Sequence, residues 1–133
     1  MQILAAAALT VAGAAIGQAP AGPPQPATVF FDWGKGEIRR DDVETLDKVA
    51  EAWRARPSAQ LRLAGHSDRS GNAWSNRRTS LKRAELVREE LEKRGVPRNA
   101  ISIASFGEDQ PLVPTEDGVR EVQNRRVVIA FEE

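Results

Sequence analysis

The chain has 133 residues, enough for one domain with one core, and 41% apolar against 29% charged residues is the balance of a globular rather than a disordered sequence. Nineteen basic and nineteen acidic side chains cancel, which argues against general nucleic-acid binding, because that needs a basic surplus to release counterions from phosphates. With no cysteine and a single histidine, disulfide scaffolds, thiolate catalysis and Cys-based zinc sites are excluded, and no metal or other cofactor is expected.

Residues 3–17, ILAAAALTVAGAAIG, are uncharged and mostly small. That run is shorter than the ~20 residues a spanning helix needs. It suits the core of an export signal, with Ala15 and Gly17 placed for cleavage before Gln18. The expected organisation is a signal peptide over 1–17, a solvated Pro/Ala-rich linker over 18–27 and a folded domain over 28–133. No basic residue precedes the apolar core, so an uncleaved membrane anchor, or a start upstream of a longer signal, stands as the alternative.

ATVFFDW (27–33) is β-branched and aromatic and predicts a buried strand. Val43, Leu46, Val49, Ala50 and Trp53 recur at helical spacing, with Asp41 and Asp42 in the first turn, Arg54 and Arg56 in the last, and Pro57 as the stop. AQLRLAG (59–65) alternates Leu61 and Leu63 with polar residues, as a strand with one buried face does. A second helix is predicted over 73–94, with Leu81, Ala84, Val87 and Leu91 on one stripe and Gly95 as its C-cap. AISIASFG (100–107) is a third strand, a polar loop follows, 119–126 suggests a short helix, and RVVIAF (126–131) is the last strand. The order βαβαββ predicts an α/β chain of the α+β sandwich type, a mixed sheet with helices on one face.

GHSDRSG (65–71) joins the second strand to the second helix and holds the only histidine. As a catalytic group His66 would need a nucleophile, a second acid or metal partners, and the nearby serines lie in no nucleophile turn. Its expected role is to hold the loop by hydrogen bonds. Taken alone, Asp68-Arg-Ser-Gly is a turn former, and Arg83 is one solvated helix residue among Arg77, Arg78, Lys82 and Arg88. Asp32 reads as a structural turn residue. A glycosidase would need a second acid about 5–10 Å from Asp68, for which Glu108, Asp109 and Asp32 are the candidates.

Taken together, VFFDWGKGEI, LAGHSDRSG, NRRTSLKRAELVREEL, ISIASFGEDQPLVPT and QNRRVVI, in this order and spacing, resemble the OmpA-like C-terminal domain family. That family includes the periplasmic domain of OmpA, peptidoglycan-associated lipoproteins and the MotB stator domain. The resemblance covers roughly 28–131. It implies a domain without catalytic activity in the periplasm or cell envelope of a Gram-negative bacterium, associated with the outer membrane. Its partner would be peptidoglycan, bound non-covalently through the diaminopimelate of the stem peptide. Other envelope proteins are further candidates, and a membrane only if the N-terminal segment is uncleaved. By position in the family's motifs, the ligand-binding residues are Asp68, Arg83, Asn76 and Arg125, the last preferred to Arg126. Ser67 stands where threonine is usual and keeps the hydroxyl, while Thr79 replaces a commonly apolar residue.

The chemistry of that ligand suits these residues. Diaminopimelate that is not cross-linked presents an ammonium and a carboxylate on one carbon, which an aspartate and a bidentate guanidinium can hold together. Gly65 and Gly71 are expected to let the backbone approach the ligand. A peptidoglycan hydrolase and a non-binding periplasmic interaction domain are the competing functions.

Overall fold

A computed structural model describes residues 24–34 and 36–133, so the expected signal peptide and most of the expected linker lie outside the described residues. Six elements follow in chain order: β1 (Ala27–Phe30), α1 (Arg40–Ala55), β2 (Gln60–His66), α2 (Ala73–Lys93), β3 (Ile101–Gly107) and β4 (Arg126–Glu132).

β1 is shorter than the strand expected over 27–33, because Trp33 and Gly34 turn the chain away and Gly34 takes a φ of 72°. Only glycine adopts such a φ at little cost. In α1, Leu46, Val49 and Ala50 are buried as expected, whereas Val43 faces solvent. Asp42 does more than complement the helix dipole: it is buried, and its Oδ2 accepts the Phe30 N–H at 2.9 Å, which pins the start of α1 to the end of β1. At the start of α2 the Asn72 side chain accepts the Ser75 N–H at 2.8 Å. At its end Gly95 has a φ of 100°, the Gly95 N–H reaches Glu92 O at 3.0 Å and the Val96 N–H reaches Leu91 O at 3.1 Å. These are the paired bonds that close a helix on a left-handed glycine. Leu81 is not on the buried stripe of α2; Ala84, Val87 and Leu91 are, and the stripe continues backward through Arg83, Ser80 and Asn76. Within 119–126 the expected short helix is a single 3-10 turn, Val122–Asn124.

The sheet order is β1-β4-β2-β3, with β2 and β3 parallel and β4 antiparallel to both β1 and β2. It is the expected mixed sheet. Leu61 and Leu63 of β2 and Val127, Ile129 and Phe131 of β4 form one apolar cluster with Leu46 and Val49 of α1 and Val87 and Leu91 of α2. The helices thus cover one face. At Gly65 an added Cβ would sit 2.2 Å from the Ser80 carbonyl oxygen, so α2 rests directly on the backbone of β2. This glycine serves helix–strand packing and not the ligand approach expected of it.

The strand directions fix where a site can form. The C-terminal ends of β1, β2 and β3 and the N-terminal end of β4 all lie along one edge of the sheet. The turn after β2, the start of α2 and the residues before β4 therefore meet there.

Candidate binding site

A cleft of about 500 Å³ opens at that edge. Ser67, Asp68, Asn76, Arg83 and Arg125, all nominated from the sequence, line it together with Trp33, Ser70, Gly71, Thr79 and Lys82. Arg126 does not. It turns to the polar loop, where its Nη2 donates to Gln110 O at 3.1 Å.

Asp68 is buried, and every acceptor position of its carboxylate is in use. Oδ1 accepts the Ser70 N–H at 3.1 Å and the Ser70 hydroxyl at 2.6 Å. Oδ2 accepts the Glu121 N–H at 3.1 Å and Arg125 Nη1 at 2.7 Å. A carboxylate offers about four lone-pair sites, so none is vacant. Burial alone would raise the pKa of Asp68, but the bonds from Ser70 and Arg125 and the backbone N–H groups of Glu121 and Ser70 outweigh it. The group is held below the usual carboxylate range and is ionised at neutral pH. Arg125 is itself buried and fixed, its Nε donating to Phe31 O at 2.8 Å. Ser67 locks the base of the turn, its N–H donating to Gly107 O at 2.8 Å and its hydroxyl to Asp68 O at 2.9 Å.

Arg83 is in the opposite condition. It is 5% exposed, and its Nε and Nη1 are buried with no hydrogen-bond partner among the described residues. Its guanidinium lies 5.3 Å from the centre of the Phe31 ring. Burial drives its pKa down to about 10; the charge of Asp68 works against that shift and the charge of Arg125 adds to it. Arg83 is still charged at neutral pH. The cleft thus presents a satisfied anion and an unsatisfied cation.

Asn76 braces the entrance, its Nδ2 donating to Gly71 O at 3.1 Å and to Glu108 Oε1 at 2.7 Å. Arg69 straps the polar loop to the turn through Glu108 at 3.5 Å, Thr115 O at 3.2 Å and Asp117. Of the candidate second acids, Asp32 is exposed beside Arg39 at 3.8 Å, Asp109 pairs with Arg77 at 2.8 Å, and Glu108 is engaged by Asn76 at 2.7 Å and Arg69 at 3.5 Å without lining the cleft. Asp68 is the one carboxylate lining the cleft among the described residues.

His66 does not hold the loop by hydrogen bonds as expected. Its Nδ1 is buried without a partner among the described residues, and its ring stacks on Phe106 at 5.3 Å and 17°. Burial, with a smaller contribution from the Arg126 charge, lowers its pKa to about 4, so it is neutral and acts as a packing group.

Residues 30–125 match the model of the OmpA family. The chain belongs to the OmpA family. Among curated relatives, an outer membrane protein of Gluconacetobacter diazotrophicus is 36% identical over 114 residues, spanning 80% of this chain and 30% of its own length. A peptidoglycan-associated lipoprotein of Rhizobium meliloti is 36% identical over 101 residues, spanning 75% of this chain and 57% of its own length. The chain therefore spans less than a third of the first relative and little more than half of the second. Among solved structures, the peptidoglycan-associated lipoprotein of Burkholderia pseudomallei superposes with a TM-score of 0.74 at 26% identity, covering 79% of this chain and 89% of that one. The C-terminal domain of Helicobacter pylori MotB shares the fold, with a TM-score of 0.70 at 22% identity over 83% and 85% of the two chains. The family and these relatives place the protein in the cell envelope of a Gram-negative bacterium.

Within this OmpA-family domain, Trp33 and Ser70 are among the cleft residues that sequence reasoning missed, with Gly34, Gly36 and Lys82. Trp33 Nε1 donates to the Ser70 hydroxyl at 3.1 Å across 37 positions, and Arg120 lies 3.4 Å above the indole ring. An aromatic residue in the turn right after a strand was a signal, but it points as readily to the core.

Proposed function

We propose that the chain binds peptidoglycan non-covalently, taking the free end of diaminopimelate in the stem peptide, and thereby ties an envelope component to the wall. The observation that carries this reading is Arg83, a charged guanidinium buried at the cleft with two nitrogens unpartnered among the described residues. Leaving such a group unpaired is costly, and a ligand carboxylate would supply the missing acceptors bidentately. Asp68, ionised and beside it, supplies the opposite pole for the ammonium on the same carbon. The names of the lipoprotein relatives support peptidoglycan as the polymer. Binding is favoured over hydrolysis because Asp68 has no partner acid in the cleft among the described residues.

Calorimetric titration of the full chain with a diaminopimelate-containing stem peptide tests this. Saturable binding is expected, weakened at least about thirtyfold by Arg83→Met and by Asp68→Asn, since each removes a hydrogen bond to a charged group. A lysine-containing stem peptide, which lacks the second carboxylate, is expected to bind as weakly as the Arg83→Met variant binds the diaminopimelate form. Equal affinity for the two peptides would overturn the assignment of Arg83, and no binding of either would overturn the function.

A further inference from the structure

We infer that Ser70 and Trp33 form an internal latch that stands in for the ligand at Asp68: the Ser70 hydroxyl occupies the carboxylate oxygen that a ligand ammonium takes, and binding expels it. The inference rests on the cleft being the peptidoglycan site and adds how that site is regulated and read.

The argument starts from the asymmetry of the cleft. Its cationic half is vacant, because Arg83 Nε and Nη1 have no partner among the described residues. Its anionic half is full, because Asp68 already accepts four hydrogen bonds. A zwitterion needs both halves, so one donor to Asp68 has to leave. Two of the four are backbone N–H groups, of Ser70 and Glu121, which move only with their loops. The third is Arg125, buried and tied to Phe31 O at 2.8 Å. The fourth, the Ser70 hydroxyl, leaves by one rotation about χ1 into another staggered well. The Ser70 bond to the ionised carboxylate is itself charge-assisted, but an ammonium in its place adds the attraction of a full opposite charge, which favours the exchange.

Trp33 makes the exchange visible. Its Nε1–H donates to that same hydroxyl at 3.1 Å, and the side chain is 48% exposed. When the hydroxyl swings away the indole loses its acceptor, while the Arg120 guanidinium stays above its ring. The latch therefore lowers affinity by the free energy needed to open it, in the way a protein pays for a binding-competent state that is seldom populated.

The chain has three tryptophans, so the full chain carrying Trp53→Phe and Trp74→Phe leaves Trp33 as the sole emitter. The probe is the diaminopimelate-containing stem peptide. The emission of Trp33 is expected to change saturably, with the affinity that calorimetry gives. Ser70→Ala is expected to bind the peptide about tenfold more tightly than the parent chain, because the competing hydroxyl is gone. Trp33→Phe is expected to tighten binding by a smaller factor. If the parent binds but Ser70→Ala binds equally or more weakly, Ser70 is a ligand contact or a bystander and the latch is refuted while the site stands. An unchanged Trp33 emission at saturation refutes it in the same way. If no variant binds the peptide, the site reading falls and the latch falls with it.

Discussion

Replacing Arg83 by methionine separates a residue kept for folding from one kept for a ligand. Methionine retains the unbranched stem that packs against Phe31 and removes the charge. Two guanidinium nitrogens are buried without acceptors among the described residues, and burial lowers the pKa to about 10. That shift corresponds to roughly 3 kcal/mol disfavouring the charged form. That net value already includes the attraction of Asp68; the variant also gives up the contact of the guanidinium with the Phe31 ring, so Arg83→Met is expected to stabilise the free protein by about 1–2 kcal/mol. Asp68 stays paired with Arg125, so no new buried charge is stranded. Urea unfolding of both proteins reads this as a rise in midpoint at unchanged slope. The same substitution is expected to abolish the stabilisation that stem peptide confers on the parent chain. A variant less stable than the parent by about 1 kcal/mol or more would refute the reasoning, since it would mean that Arg83 is already satisfied and contributes to the fold.

Gly65→Ala is expected to lose about 2–3 kcal/mol, because the new methyl meets the Ser80 carbonyl at 2.2 Å and only backbone movement relieves it. At Gly71 the nearest atom is the Asn76 side-chain oxygen at 3.0 Å, which can rotate, so Gly71→Ala should lose less than about 1 kcal/mol; equal losses in urea would contradict the account of Gly65. His66 has a folded pKa near 4 against an ordinary 6.5, so the unfolded chain takes up the proton first. Its contribution is intact above pH 6.5 and declines as pH falls toward 4, by at most about 1.4 kcal/mol per pH unit. Stability measured at pH 7 and pH 5.5 should differ by about 1 kcal/mol in the parent chain and by much less in His66→Phe, which preserves the stack on Phe106; an equal drop in both would assign the effect to other groups.

The sheet and both long helices are legible in the sequence because their buried positions repeat with a period, as Leu61 and Leu63 do in β2 and Ala84, Val87 and Leu91 in α2. The same periodicity could have located Arg83. Counting back along that stripe lands on Arg83, Ser80 and Asn76, which marks Arg83 as inward-facing and distinguishes it from Arg78, without help from the family motif. Leu81 misleads because hydrophobicity without phase is a weak guide. The loop contacts are of another kind. Trp33 with Ser70, Glu121 with Asp68 and Phe31 with Arg125 join positions 37, 53 and 94 apart, with no spacing rule to connect them. The residue type of His66 suggests a hydrogen-bonding role; its actual role depends on Phe106 and Arg126, which the parallel pairing of β2 with β3 and the antiparallel pairing with β4 bring near.

The place of β1 in the sheet has a mechanical consequence. Among the described residues β1 is an edge strand whose only neighbour is β4, and the chain enters it at Ala27, at the end of the sheet opposite the cleft. On the proposed binding, a pull between the ligand in the cleft and the residues preceding Ala27 runs along the strand axis. The hydrogen bonds to β4 lie perpendicular to that axis, and the whole ladder from Ala27–Ile129 to Phe30–Arg126 is loaded in shear at once instead of being unzipped pair by pair. The Phe31 carbonyl that anchors Arg125 sits just past the loaded ladder, so tension reaches the binding residues only after the strand itself yields.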